Sequence, residues 1–139
     1  MTSAQDLYNE LAFYTLARGD PAFIHQHVVD AFAVQRADEN TKPIAVVFGL
    51  AGLYLHLEKG FTGRQVQVMH MRMAARRKQW PHIPLPADRG EITIAEVLAS
   101  PAGDERDAMI GRWCASVWGA CIDSRSMIAE FLKRDFDIR

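Results

Sequence analysis

The sequence is poor in the features that mark secreted, redox-active and strongly charged proteins. It has only two cysteines, Cys114 and Cys121, and no CxxC pair, which argues against a thioredoxin motif or a zinc ribbon. If the stretch between them is helical, the two thiols lie roughly 10 Å apart along the helix axis, too far for a disulfide. The formal net charge is -1, so no global field favours nucleic acid or an anionic membrane.

Targeting and membrane signals are missing as well. Residues 1–6 lack the basic start and apolar stretch of a signal peptide. The longest apolar run, residues 44–55, is shorter than the roughly 20 residues that cross a bilayer. Together with cysteines that read as reduced core residues, these features predict a cytoplasmic protein.

What the sequence does contain is the pattern of a folded helical protein. Its 139 residues are 49% hydrophobic and 24% charged, which is typical of one globular domain over residues 1–139. Helix signals dominate and no strand of convincing length occurs. We therefore expect an all-α fold, an up-down four-helix bundle with a short extra helix and a long C-terminal helix.

Capping signals place the first two helices. Ser3 opens the first helix, with an acidic residue in the capping-box position, and Gly19 ends it. Asp20 is expected to cap a second helix, which begins at Pro21 and runs to about Arg36.

The later helices follow from the same signals. A very apolar third helix, residues 43–58, is capped by Thr41 and forms the centre of the core. A capping box at Thr62 opens a fourth helix that reaches about Trp80. Three prolines exclude helix from residues 81–86, a short helix follows over 93–100, and a last helix runs from Asp104 to as far as Lys133.

Four of the five histidines are candidate metal ligands. In an up-down bundle, reflection through the turns near residues 39 and 61 places both His27 and His70 opposite Gly52. His56 lies about one helical turn from that level, and His25 lies close to it. Because neutral imidazole is the commonest protein ligand for transition metals, this layer is a possible Zn or Ni site.

Other features count against that metal site. His25 and His27 diverge by roughly 200° around a helix, so they cannot both face one site. No HExxH motif and no Glu-x-x-His pair of the di-iron type occurs. The alternative is a set of buried or surface histidines that bind no metal.

One face of the third helix carries small residues at spacings of 4, 3 and 4, namely Ala45, Gly49, Gly52 and His56. Small side chains either let a neighbouring backbone come close or leave room for a ligand. Both interpretations stay open, and if a site exists within the bundle, this face is expected to line it.

The fourth helix is basic, with cationic residues at Arg64, Arg72, Arg76, Arg77 and Lys78. Positive charge at a helix C-terminus complements the helix dipole, and this accounts for most of the cationic residues here. We therefore do not expect this helix to bind nucleic acid. Aromatic and apolar content favours a homodimer, with one of Trp113 and Trp118 in the core and the other at a subunit contact.

Several segments resemble a bacterial family of uncharacterised all-helical proteins. Residues 19–23 (GDPAF) and 25–35 (HQHVVDAFAVQ) resemble that family's "GDPAY" and "HQLTVDAYAAQ". Residues 57–60 (LEKG), 90–98 (GEITIAEVL) and 113–118 (WCASVW) resemble its "LExG", "GDLTVADVLAA" and "WARSVWEAW". The resemblance covers nearly the whole chain and implies no activity, since the family has none assigned.

The resemblance also separates the candidate residues. His25, Asp30 and Gln35 match the family pattern and His70 accompanies them, whereas His27 and His56 look particular to this sequence. Asp30 and Gln35 therefore join the two helix-three glycines, Gly49 and Gly52, as candidate pocket residues.

A more distant resemblance is to DinB-like four-helix bundles, some of which are metal-dependent thiol transferases. Their usual metal set includes a His-x-x-x-His pair on a late helix, and the last helix here has no histidine. Three functions thus stay open. The chain is an uncharacterised helical bundle that is non-catalytic or of unassigned activity, a metal-dependent DinB-like enzyme, or a module that binds a small ligand or nucleic acid.

Overall fold

A computed structural model describes residues 2–76 and 79–139, and these residues form an all-α bundle without strands. No helix in this part of the chain is long and apolar enough to cross a membrane. The expected fold class is confirmed. The α-helices in chain order are α1 (Ala4–Arg18), α2 (His25–Arg36), α3 (Pro43–Lys59), α4 (Gly63–Arg76), α5 (Ile94–Ala99), α6 (Asp104–Ala120) and α7 (Arg125–Phe136).

Helices α2 and α3 form the centre of the bundle. Residues 46–55 of α3 are all buried except Phe48, as the apolar run predicts. Helix α2 packs against α1, α3, α4 and α6, while α3 also contacts α4, α6 and α7. His27 lies beside His56 and Asp30 beside Gly52, so α2 and α3 run antiparallel. The core is therefore organised around this helix pair and not around α3 alone.

Local capping signals predicted several helix ends correctly. Ser3 Oγ accepts a hydrogen bond from the Asp6 backbone, and the Asp6 carboxylate accepts one from the Ser3 backbone in return. Thr62 and Gln65 form the same reciprocal pair at the start of α4. Gly19 and Gly60 end α1 and α3 in the left-handed conformation that glycine adopts without a steric penalty.

The predicted start of the second helix was wrong. Helix α2 begins at His25, not at Pro21, because Phe23 has a left-handed φ of 59° that no α-helix can include. Asp20 is not the N-cap either: Ile24 occupies that position without a side-chain cap, and the Asp20 carboxylate accepts from the Ile24 backbone N–H at 3.1 Å within the turn. Residues 20–24 consequently form a turn of their own.

Thr41 does not cap the third helix. Its hydroxyl accepts from the Asp38 backbone at 2.9 Å, and Lys42 occupies the N-cap position without a side-chain hydrogen bond. The proline at the first helical position, Pro43, makes a cap less necessary because it has no N–H to satisfy.

The prediction of a single long C-terminal helix was also wrong. Helix α6 ends at Ala120, a 3₁₀ turn spans Ile122–Ser124, and α7 follows as a separate helix that contacts α3. The buried hydroxyl of Ser124 donates to the Pro84 carbonyl at 2.9 Å, which ties the break to the proline-rich connection. The apolar stripe continues on both sides of the break, so periodicity gave no sign of it.

The expectations for the fourth helix and the tryptophans need correction too. Trp80 lies outside α4 and packs against Phe48 and Phe131, while Arg77 and Lys78 lie outside the described residues. Trp113 and Trp118 are both buried, so neither is available for a subunit contact.

Candidate functional site

Two of the candidate histidines meet between the first turn of α2 and the last turn of α3. The rings of His27 and His56 stack with their centroids 3.5 Å apart and their planes 17° from parallel. His56 Nδ1 lies 2.8 Å from the Phe61 carbonyl, which can only accept, so Nδ1 carries the proton and Nε2 keeps a lone pair. His27 is 7% exposed, and neither of its ring nitrogens has a hydrogen-bond partner within residues 2–76 and 79–139.

A cavity of about 260 Å³ adjoins this histidine pair. It lies between the turn that precedes α2, the facing ends of α2 and α3, and one side of α6. Its lining residues are Asp20, Ala22, Ile24, His27, His56, Asp107, Ile110, Gly111 and Cys114. We call this space the histidine cavity.

The start of α4 holds the 20–24 turn that forms one wall of the cavity. A Cβ atom at Gly63 would overlap the Phe23 carbonyl, so only glycine lets the two segments approach so closely. The Arg64 backbone donates to the Ala22 carbonyl at 3.0 Å, and its guanidinium lies 4.2 Å from the centre of the Phe23 ring. These contacts hold Phe23 in its left-handed conformation.

The polar groups deep in the histidine cavity are uncharged at neutral pH. Burial lowers the pKa of His27 to about 3, and the neighbouring His56 contributes in the same direction. Burial also raises the pKa of the Cys114 thiol to about 12, so the thiol stays protonated, and it lies 3.6 Å from the His27 carbonyl. A thiol in this state is a weak nucleophile, which favours binding over covalent chemistry at this cysteine.

Negative charge is found at the cavity's rim. Asp107 accepts from the Tyr14 hydroxyl at 2.7 Å and pairs with Arg18 at 2.5 Å. Asp20 accepts from the Ile24 backbone but has no ion-pair partner among the residues that are described. The two carboxylates therefore differ, since a cation already balances one of them.

One helical turn away, the same two helices are in tight contact. A Cβ at Gly52 would overlap the Asp30 carboxyl, and one at Gly49 would lie 2.7 Å from a Val34 methyl. The glycines thus make room for α2, and close packing is the correct interpretation of this part of the α3 face. We call the contact of Asp30 with Gly52 the carboxyl layer.

A chain of hydrogen bonds connects the carboxyl layer to α4. The Gln26 amide donates to Asp30 Oδ1 at 3.2 Å and contacts His70 Nδ1 at 3.4 Å. His70 Nε2 donates to the Phe48 carbonyl at 2.9 Å and lies 4.0 Å from Asp30 Oδ1. Asp30 Oδ2 is buried without a hydrogen-bond partner in the described structure.

Burial favours the uncharged form of both titratable groups in this layer. Burial raises the pKa of Asp30 well above its usual range, and the bond from Gln26 opposes that shift only in part. Burial lowers the pKa of His70 to about 4, while its bond to the Phe48 carbonyl acts in the opposite direction. Burial therefore disfavours a salt bridge between Asp30 and His70.

The remaining candidates have structural partners elsewhere. His25 contacts the Thr15 hydroxyl at 2.9 Å, on α1, and burial lowers its pKa. The Gln35 amide donates to the Ile92 carbonyl at 2.8 Å and accepts from Trp113 Nε1 at 2.9 Å. Gln35 thus joins α2, α6 and the connection before α5, and it does not line the histidine cavity.

The four histidines do not form one layer. His27 and His56 meet, His70 belongs to the carboxyl layer, and His25 turns toward α1 as its divergence from His27 predicts. The reflection was in error by about one turn, because Asp30 and not His27 lies opposite Gly52. No group of three or more His, Cys, Asp or Glu side chains that could hold a metal is found within residues 2–76 and 79–139.

Sequence reasoning missed the contribution of α6 to the cavity. Asp107, Ile110 and Cys114 face it at spacings of 3 and 4, the period of one helix face. That signal was visible, but the apolar positions read equally well as core. Asp20 was missed because it was read as an ordinary helix cap.

The chain belongs to a family of unknown function, DUF5946, whose model matches residues 3–122. The prediction of an uncharacterised family is thereby confirmed, and the DinB-like resemblance stays a prediction. No curated protein and no solved structure matches the chain.

Proposed function

We propose that this member of the DUF5946 family binds a small molecule in the histidine cavity. The observation that carries the proposal is His27, a polar ring that is 7% exposed, lacks a hydrogen-bond partner in the described chain and lines an open space. Its ring nitrogens are open to the cavity, since Asp30 Oδ2 is the one fully buried side-chain polar atom without a partner in the described structure. A ligand in the cavity can therefore hydrogen-bond directly to the ring in place of water.

The size and lining of the cavity suit such a ligand. Its volume of about 260 Å³ lies just below the ~300–1,000 Å³ of typical ligand pockets. Ala22, Ile24 and Ile110 give it apolar walls, and the histidine edges add a few fixed polar groups. This combination is typical of sites for small metabolites.

A transition metal is the second candidate occupant, as the histidines first suggested. The observation in its favour is His56, whose Nδ1 donates to a backbone carbonyl and leaves Nε2 free, the arrangement common among metal-bound histidines. The stacked rings would have to rotate before both could bind one ion. Calorimetric titration with Zn²⁺ and Ni²⁺ tests this: stoichiometric binding lost in His56→Ala supports a metal site, and no binding rules against it.

Nuclear magnetic resonance tests the small-molecule proposal directly, with 1-butanol as the probe. We expect saturable shifts of the Ile24, Ile110 and Gly111 amides. Gly111→Leu is the matched blocked variant, because a Cβ at Gly111 meets open space and a larger side chain would extend toward the cavity. Shifts that do not saturate, or that persist unchanged in Gly111→Leu, would contradict the proposal.

We also propose that the chain forms a homodimer. Large apolar side chains are exposed on α1 (Phe13 and Leu16) and on α4 (Val68 and Met71), and these patches offer contact surface. Light scattering at high concentration checks the proposal, and a monomer mass there would remove it.

A cytoplasmic location is the last part of the proposal. It is supported by Cys114 and Cys121, which are both buried as free thiols. Fractionation of cells that produce the protein tests it, and recovery with secreted material would contradict it.

A further inference from the structure

We infer that the histidine cavity takes an organic cation with N–H donors, a protonated amine on a short carbon chain. This inference rests on the proposed small-molecule site and names the chemistry of its ligand. It follows from which hydrogen-bonding roles the lining side chains leave open and from the sign of the charge at the rim.

Apart from the neutral His27 ring, which has one donor and one acceptor nitrogen, the polar side chains of the cavity offer mainly acceptors. His56 donates its Nδ1 proton to the Phe61 carbonyl, so Nε2 can only accept. The Cys114 thiol is directed at the His27 carbonyl and is a weak donor at best. A ligand with N–H groups matches these open acceptors, whereas a carboxylate or phosphate would find only the His27 N–H and the weak thiol donor among the described lining side chains.

The charges around the cavity favour the same ligand. None of its described lining residues is lysine or arginine, while two are aspartates. Arg18 already balances Asp107, but within residues 2–76 and 79–139 the Asp20 carboxylate accepts only from the Ile24 backbone and retains lone pairs for a second donor. An ammonium group at the rim would gain a charge-assisted hydrogen bond to Asp20, and an anion there would be repelled.

The apolar wall of the cavity indicates that the rest of the ligand is aliphatic. Ile24, in the turn before α2, and Ile110, on α6, both line the cavity and contribute aliphatic surface to it. A chain of a few methylene groups fits a space of about 260 Å³. The ligand class is thus an aliphatic amine, with its cationic end at Asp20 or at the acceptor edge of the histidines.

Three probes of equal length test the inference: butylammonium, 1-butanol and butyrate, each titrated at pH 7 and low salt and followed by amide chemical shifts. We expect butylammonium to bind about tenfold more tightly than butyrate, and more tightly than 1-butanol, as one charge-assisted bond predicts. Asp20→Asn keeps an acceptor for the Ile24 backbone but removes the charge. It should bring butylammonium close to the affinity of 1-butanol and leave 1-butanol unchanged.

A matched control separates a local effect from a change in net charge. Asp123→Asn removes one charge from an exposed residue that does not line the cavity, so probe binding should not change. Butyrate binding as tightly as butylammonium, or 1-butanol binding with no gain for butylammonium, would overturn the inference and leave the cavity as a binding site. If none of the probes binds, the proposed function itself fails.

Discussion

Gly52 and His56 lie one turn apart on the same face of α3 and oppose the same helix, yet their surroundings differ. At Gly52 the Asp30 carboxyl fills the volume that a Cβ would take. At His56 the partner is the flat ring of His27, and beyond it Phe23 departs from helical geometry, so the chain moves aside and the cavity opens. A face of small residues therefore becomes packed or open according to what the opposing helix presents.

The two levels also differ in which protonation state burial favours. In the carboxyl layer burial favours the protonated form of Asp30, and in the histidine cavity it holds His27 as a neutral base. Burial disfavours charge in both cases, but the consequences for stability have opposite signs. Ionisation of Asp30 opposes the fold as pH rises, and protonation of His27 opposes it as pH falls.

Gly52→Ala should produce the largest effect, because it forces a methyl group into the Asp30 carboxyl. Overpacking of this kind typically costs about 1–3 kcal/mol, and we expect a loss near the upper end, about 3 kcal/mol, in urea unfolding. Gly119→Ala on α6 is the control, since a Cβ there meets nothing within 4 Å and should cost no stability.

A double-mutant comparison tests whether the methyl group of Gly52→Ala clashes with Asp30. In an Asp30→Ala background, Gly52→Ala should cost much less, because the carboxyl that it strikes is gone. Equal losses in both backgrounds would show that the carboxyl layer is not what fills this level.

Gln35→Met tests whether tight packing of α2 continues beyond the carboxyl layer. The change leaves Trp113 Nε1 and the Ile92 carbonyl without their amide partner, so we expect a loss of about 2 kcal/mol in urea unfolding. Binding of 1-butanol in the histidine cavity should not change. Weaker binding of 1-butanol at unchanged stability would show instead that Gln35 contributes to the histidine cavity.

His27→Phe should reduce the sensitivity of the fold to acid. Below pH 6.5 the unfolded chain protonates His27, but the folded chain does so only near pH 3, so stability falls as pH drops through this window. One such group contributes roughly 1.4 kcal/mol per pH unit, or about 2 kcal/mol by pH 5. Phenylalanine keeps an aromatic partner for His56 without titrating.

Urea unfolding between pH 7 and pH 5 measures that difference. The variant should lose less stability than the wild type over this range, although His70 still contributes in both proteins. Parallel losses in the two proteins would mean that His27 is not held neutral in the fold.

Gly111→Ala should have the smallest effect, and one of opposite sign to Gly52→Ala. Its Cβ enters open space, so the variant gains helix propensity of up to about 1 kcal/mol. The same methyl group takes volume from the histidine cavity and should weaken 1-butanol binding. A thermal melt and the probe titration check the two parts, and destabilisation would show that this side of the cavity is packed after all.

Local signals predicted much of the fold because a helix end depends on few residues. The capping boxes at Ser3 and Thr62 and the C-terminal Gly19 and Gly60 were read correctly for that reason. The left-handed Phe23 was not predictable, since contacts with Gly63 and Arg64, forty residues later, hold it in place. Tertiary context decided the conformation against the local helix signal.

The site was predicted only in part. His56 and the α3 face were correct elements, but which α2 residue opposes Gly52 depends on the register between two helices. The reflection through an idealised turn missed that register by about one turn, which exchanged His27 for Asp30. The cavity itself arises from a turn and from α6, and sequence periodicity contains no information on how far apart they lie.

A crystal structure determined under xenon pressure would compare the two levels in one measurement, since xenon enters preformed apolar space and does not enter packed contacts. We predict a xenon peak in the histidine cavity between Ile24 and Ile110 and none beside Gly52 and Asp30. A peak at Gly52, or an empty and collapsed space beside His27, would contradict the account.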